Sequence, residues 1–396
     1  MNVKEKMILS VLIVCVLSSG RKIHADNRYA DCIASVASVS ADTVGHKRKV
    51  WQRFLAYFND ANKIKKQKKF DVSFIGGPHY SSDTKLGIGL VAAGVYRSDR
   101  LDSLLQPSNV ALYGDVTTVG FYLLGIRGTH IFPHDRYRLN YNAYFFSFPS
   151  LYWGNGYHHG VNDANRSAYK LFQTSLQVDF MIRVARNFYL GPKAMFEYIR
   201  GSKFQRPELW AGERTTTTGS GIGGTLLYDS RDFLPNAYRG YYLRIDQRFS
   251  PRFMGNKDAF SSTELTTSYY HSLWKGGILA SQFHTKLTYG DPPWGLLATL
   301  GNSNSMRGYY DGRYRDKCAM DAQVELRQHV WRRNGVTAWV GAGTVFPHFG
   351  GLRAKHILPN YGIGYRWEFK KRMNVRLDYG FGKHQNGFIF NINEAF

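Results

Sequence analysis

The segment Tyr137–Phe146 sets the pattern of the chain. Tyr137, Leu139, Tyr141, Ala143 and Phe145 fall on one side of an extended strand, with Arg138, Asn140 and Asn142 on the other. Successive side chains of a strand point to opposite faces, so this period of two predicts one apolar and one polar face. The rule repeats. Leu176, Val178, Phe180, Ile182 and Val184 alternate with Gln177, Asp179 and Arg183. Met320, Ala322, Val324 and Leu326 alternate with Asp321, Gln323, Glu325 and Arg327. Val375, Leu377, Tyr379 and Phe381 alternate with Arg376 and Asp378.

Followed from Phe70 to Phe396, the alternation predicts sixteen strands and no internal helix or linker. Eleven lie near 70–80, 85–96, 109–118, 120–132, 137–148, 167–184, 188–200, 217–229, 238–249, 260–274 and 277–289. Five more lie near 317–330, 336–346, 357–370, 374–383 and 387–396. Connections alternate in length. Pro133–Arg136, Ala185–Asn187, Lys275-Gly276, Arg332–Gly335 and Lys371–Met373 are short, whereas Ser150–Arg166, Gly201–Thr216, Pro251–Ala259 and Gly290–Arg315 are long. Ser98–Gln106 breaks the rule. Long strands with one apolar face, an even count and this rhythm predict an all-β, 16-stranded antiparallel transmembrane β-barrel, with short turns periplasmic and long loops outside. A soluble sandwich also alternates, but it turns its apolar face inward and rarely uses so many strands of this length.

Composition sharpens this. Mean hydropathy is −0.36, and after the N-terminus no apolar run approaches the ~20 residues of a membrane helix. Barrel strands escape such a test because their polar positions dilute the average. The formal charge of +23 asks for an anionic partner. Zinc-ligand spacing, a recognition helix and a basic helical stripe are all missing, so nucleic acid is not expected. Outer-membrane lipid headgroups and lipopolysaccharide phosphates suit an exported barrel better.

The N-terminus divides in two. Residues 1–25 read as a signal peptide: Lys4 and Lys6, an apolar core Met7–Leu17, and Ile23-His24-Ala25 as a cleavage site, with Ser19-Gly20 as a rival. Residues 26–69 form a periplasmic segment in which Val50, Trp51, Phe54, Leu55 and Phe58 fall at helical spacing among basic residues. Such a short helix would lie on the membrane's inner face, cap the barrel mouth or act as a spacer. Cys32 and Cys318 remain after cleavage, and no disulfide between them is expected.

Gly301–Lys317 interrupts the strands with a Gly-rich run holding Met306-Arg307-Gly308-Tyr309. This tetrapeptide resembles the Arg-Gly-aromatic motif of the BamA/TamA-like outer-membrane assembly barrels, the bacterial surface antigen superfamily. Three other stretches agree. Leu227–Asp232 with Arg239-Gly240-Tyr241-Tyr242 resembles the family's eighth strand, inner turn and ninth strand, through Tyr228, Asp229, Arg231, Asp232, Arg239 and Gly240. Val324–Arg327 resembles its twelfth strand. Phe388, Phe390 and the final Phe396 resemble the C-terminal signal by which such barrels are recognised for assembly.

The resemblance covers residues 70–396 and implies that the loop folds into the lumen, where its arginine pairs with wall acids. Glu325 faces the lumen by alternation, so a latch of Arg307, Gly308, Tyr309 and Glu325 is expected. The family's further Asp on strand thirteen falls at Gly341 here, leaving Asp321 and Asp378 as possible substitutes. Asp229, Arg231 and Asp232 are expected to tie the inner turn. The resemblance also implies a weak lateral seam between the first and last strands, and Gly76-Gly77-Pro78 would weaken pairing there, though a bulge would read the same. Residues 26–69 leave no room for the periplasmic POTRA repeats usual in the family.

Enzymatic signatures are weak. His158 and His159 would point to opposite faces of an extended chain and no Cys or acid cluster sits nearby, so no metal is expected. Gly219–Gly224 satisfies the dinucleotide string but lies within a predicted strand, so no cofactor is expected. The expected function is non-enzymatic: insertion or translocation of proteins or lipids in biogenesis of the bacterial outer membrane. A periplasmic partner protein is an expected companion, and the barrel assembly machinery would insert the chain itself. The alternatives are a passive channel plugged by its loop, and a barrel hydrolase.

Overall fold

The computed structural model describes residues 70–81, 85–99, 105, 108–210, 212–234 and 236–396. The signal peptide, the Val50–Phe58 helix and Cys32 lie outside them. The strands are β1 (Phe70–Ser81), β2 (Lys85–Tyr96), β3 (Ser108–Thr117), β4 (Tyr122–Ile131), β5 (Tyr137–Tyr152) and β6 (Ser167–Ala185). Then come β7 (Phe188–Ser202), β8 (Thr216–Asp229), β9 (Gly240–Ser250), β10 (Phe260–Trp274) and β11 (Gly277–Gly290). A two-stranded ribbon, β12 (Ala298–Leu300) with β13 (Tyr314–Asp316), stands inside the long loop. The chain finishes with β14 (Cys318–Trp331), β15 (Asn334–Phe346), β16 (Leu358–Lys370), β17 (Met373–Gly382) and β18 (Gln385–Ile392).

Sixteen of these form one antiparallel sheet in chain order, with β11 next to β14. β1 pairs with β2 from Phe70 opposite Tyr96 to Ser81 opposite Lys85. On its other edge β1 meets β18 only where Ser81 faces Ile389. The sheet curls strongly. Tyr310 of the loop accepts a hydrogen bond from the Leu151 amide of β5, while its own amide donates to Gln385 of β18.

The two faces invert the habit of soluble proteins. On β14, Gln323, Glu325 and Arg327 are buried while Val324 and Leu326 are exposed. Val340 and Ile363, at 64% and 66% exposure, continue the apolar face. An apolar outside and a polar inside are what lipid and a wet interior demand.

Two expectations need correction. The stretch from 70 to 396 is not helix-free: Tyr157–Val161 forms a one-turn helix, α1, against β13 and β15. Its fold depends on packing from 150 residues away in sequence, which local periodicity does not register. The final strand also stops short of Phe396. It ends at Ile392, and Asn393 turns with φ 69°. The cause is Glu394, whose carboxylate is drawn inward to Arg366 at 2.7 Å and Asn374 at 2.6 Å.

Candidate functional site: the Arg307 loop

The loop lies against the polar face of β14–β18. Arg307 is fully buried. Its Nη2 stands 2.6 Å from Glu325 Oε2 and its Nη1 2.7 Å from Asp378 Oδ2. The guanidinium carbon lies 3.6 Å from the centre of the Trp339 ring, a cation–π contact from which water is excluded. Each charge in this setting needs partners, because a lone buried ion is very costly. The network supplies them. Arg327 Nε reaches Glu325 at 2.7 Å, Arg366 reaches Asp378 at 2.6 Å, and Arg376 donates to Ser303 O at 2.8 Å.

The backbone around Arg307 is fitted as closely. Gly308 has φ +100°, and a Cβ there would run into the Gly380 carbonyl. Gly380 likewise lacks room for a Cβ beneath Arg307 O. Two glycine backbones therefore touch, which only residues without side chains permit. The Arg307 carbonyl accepts from Asn360 Nδ2, and Asn360 Oδ1 accepts from Trp339 Nε1 at 3.0 Å. Tyr309 donates to Pro359 O and accepts from the Lys383 amide, both at 2.7 Å, and burial pushes its phenol up to about 12.

Of the two acids weighed as substitutes for the missing strand-thirteen Asp, Asp378 reaches Arg307 and Asp321 does not. Asp321 instead accepts from Ser305 Oγ and lies 3.0 Å from His284 Nδ1. Opposite Gly341 stands Gln323, whose Nε2 donates to the loop at Asn304 O over 2.8 Å. Farther out, Arg313 ties the loop to α1 through Gly160 O and to Asp163, both at 2.8 Å.

The remaining predicted residues lie apart from this cluster. Asp229 pairs with Arg231 at 2.8 Å, and Arg231 sits over Tyr242 at 4.3 Å. Asp232 accepts from the Tyr238 and Arg239 amides and pairs with Arg372 of the β16–β17 turn at 2.8 Å. Burial opposes ionisation of Asp232, but those amides and Arg372 together hold its carboxyl below the ordinary value. Tyr228 is half-buried near the end of β8, and Gly240 opens β9 with φ +117°. Gly76 and Gly77 pair with Leu90 and Gly89 within an unbroken β1–β2 ladder, as does the Pro78 backbone with Ile88. Phe388 and Phe390 lie on β18, while Phe396 turns in beside Tyr270, its O accepting from Arg327 at 2.9 Å. His158 stacks edge-on against His356, and among the described residues no group of three metal-ligating side chains forms.

Sequence reasoning missed Trp339, Asn360, Arg366, Arg376 and Glu394. Alternation places Arg376 on the polar face without giving it a role, and the same pattern could have revealed Arg366. Trp339 and Asn360 gave no local signal.

The comparisons bear on the whole. The model of the Omp85 superfamily domain matches residues 129–396. The chain belongs to the Omp85 superfamily. Among solved structures it resembles BamA from Haemophilus ducreyi lacking POTRA domains 1-3, with TM-score 0.54 and 15% identity over 83% of this chain and 71% of that one. CdiB from Acinetobacter baumannii gives 0.53 and 13%, and CdiB from Escherichia coli 0.53 and 9%, each over 83% of this chain. The match spans 60% and 64% of those two chains. At such identities these likenesses speak for the fold. No curated protein matches by sequence. Membership of the superfamily makes this a protein of the bacterial outer membrane, and that family's work is outer-membrane protein assembly and translocation.

Proposed function

We propose that the sheet closes at β1 and β18 into a sixteen-stranded barrel whose edge opens laterally to pass proteins or lipids into or across the outer membrane. One observation carries this reading: β1 is paired with β2 along its length, yet meets β18 only at Ser81 and Ile389. Antiparallel edges left unpaired are ready to receive another strand. Gly308 packs on Gly380 of β17 and near Gly387 of β18, so the Arg307 loop braces the wall that ends at this edge. The loop then acts as a latch: Arg307, Glu325 and Asp378 hold the edge strands in one arrangement. Outer-membrane lipids and lipopolysaccharide surround the apolar face, and a separate periplasmic protein would deliver substrate. The activity asks for no enzyme chemistry.

The test uses liposomes holding the purified chain. The folding rate of an added unfolded porin and the flip rate of a labelled phospholipid are followed for wild type, Arg307→Ala and a Ser81→Cys/Ile389→Cys pair. Acceleration by wild type that disappears on oxidising the cysteine pair and returns on reduction supports lateral opening. If oxidation changes nothing, the seam is not the route. A plugged channel is the second reading, favoured by the loop filling one side of the lumen. It predicts conductance in Arg307→Ala without any effect on folding or lipid flip.

A further inference from the structure

Six turns at one rim of the sheet each carry an exposed cation. Arg136 lies in the β4–β5 turn, Arg186 in β6–β7, Arg239 in β8–β9, Lys275 in β10–β11, Arg332 in β14–β15 and Lys371 in β16–β17. All six side chains are exposed. The same turns contain two acids, Asp135 and Asp232. Both are engaged: Asp135 with Arg138 at 2.6 Å, Asp232 with Arg372 at 2.8 Å. These six turns therefore carry surplus positive charge along this rim, with at least one exposed cation in each. The opposite rim mixes signs, with Glu208, Glu213, Asp258 and Asp291 among its basic residues.

Next to these cations lies an aromatic belt on the apolar face. Trp274 and Trp331 end their strands at 55% and 59% exposure. The Arg332 guanidinium is 4.5 Å from the Trp331 ring centre, and that of Arg136 is 5.5 Å from Tyr137. Tryptophan and tyrosine settle where acyl chains meet headgroups, so cations one residue beyond them stand at phosphate level.

We propose that this row of cations binds anionic glycerophospholipid headgroups, holding an annulus of them in the leaflet at the short-turn rim. The arrangement favours lipid over an acidic protein. A compact partner would call for one dense patch, whereas these cations are dealt out around the circumference, beside residues that face acyl chains. The inference rests on the barrel reading above, in which the apolar face meets lipid and the short turns face the periplasm.

The experiment places the full chain in phosphatidylcholine nanodiscs containing a minority of phosphatidylglycerol. Spin-labelled phosphatidylglycerol and phosphatidylcholine are compared for the fraction immobilised at the protein. The expected preference for the anionic lipid is about fivefold at low salt, the order that one surface cation contributes. It should fall toward parity at molar salt, where screening shortens to about 3 Å. A variant with all six cations changed to Gln should show no preference, and if it fails to fold, the salt titration of wild type still decides. Equal immobilisation of both lipids, or a preference indifferent to salt, overturns the proposal. Binding of poly-glutamate without selection of phosphatidylglycerol also overturns it and assigns the row to an acidic polypeptide. The readout involves neither porin folding nor conductance, so it can fail while the latch reading stands, and the reverse.

Discussion

Two stretches of the sheet's polar face are built from the same alternating strands and treat charge differently. On β14–β17, Glu325, Asp378 and Arg376 are wholly buried beneath the loop, as is the loop's own Arg307. On β6–β9, Arg244 pairs with Asp179 at 2.6 Å and with Asp246 at 2.7 Å, and Lys193 with Asp246 at 3.2 Å. These groups line a cavity of about 400 Å³ with Glu197 and Glu264. One stretch is covered by the loop; the other borders an open cavity, where Arg244 is partly exposed although Asp179 and Lys193 are buried. Ion pairs of near-identical length then differ in consequence. Where water can return, a broken pair is resolvated and the loss is small. Where the loop excludes it, the abandoned partner stays charged and unpaired.

The largest effect should therefore come from Arg307→Ala. We expect a loss of about 3–5 kcal/mol, the range for removing one partner of a buried pair, read as a lowered midpoint of heat-modified gel mobility. Arg307→Lys should recover part of it only, since an ammonium cannot reach both carboxylates in a fork. Next is Gly308→Ala, which combines a left-handed backbone with contact against Gly380. About 1–3 kcal/mol is expected, with the loop made accessible to added protease. Arg244→Gln should cost about 1.5 kcal/mol, the low end for charge-assisted hydrogen bonds, because the cavity readmits water. Should Arg244→Gln match Arg307→Ala, the contrast between covered and open stretches is wrong. Smallest is Arg206→Gln on the β7–β8 loop, whose pair with Glu208 at 2.7 Å is exposed and should leave the unfolding midpoint nearly unmoved.

The Arg372–Asp232 link sharpens the comparison through pH. The Asp232 carboxyl is held below its ordinary value. The stability it contributes is therefore fully present above the unfolded value, near ~3.9, and is lost as pH falls through the lower folded value. Arg372→Gln should flatten that acid limb of the unfolding profile and leave neutral pH behaviour little changed.

The strands and their faces were legible because a period of two is a local property. Glu325 could be assigned inward from its neighbours alone. The choice between Asp321 and Asp378 could not. Asp321 shares β14 and its face with Glu325, but four residues along a strand is about 13 Å, too far for one guanidinium. Asp378 lies three strands away and comes within reach because the sheet curls. Alternation specifies a face, while curvature and stagger decide which members of that face meet. Asn360 and Trp339 were hidden for the same reason. The tail was misread because Glu394 is drawn to Arg366, a pull from outside its own segment.

Arg366 also joins two distant parts of the chain. It binds Asp378, which holds the loop, and Glu394, the third residue from the end of the sequence. Arg327 joins the same circle through Glu325 and Phe396. The loop and residues 394–396 are therefore fastened through the same two arginines, so that loosening either should loosen the other: a clasp with two ends rather than two separate contacts.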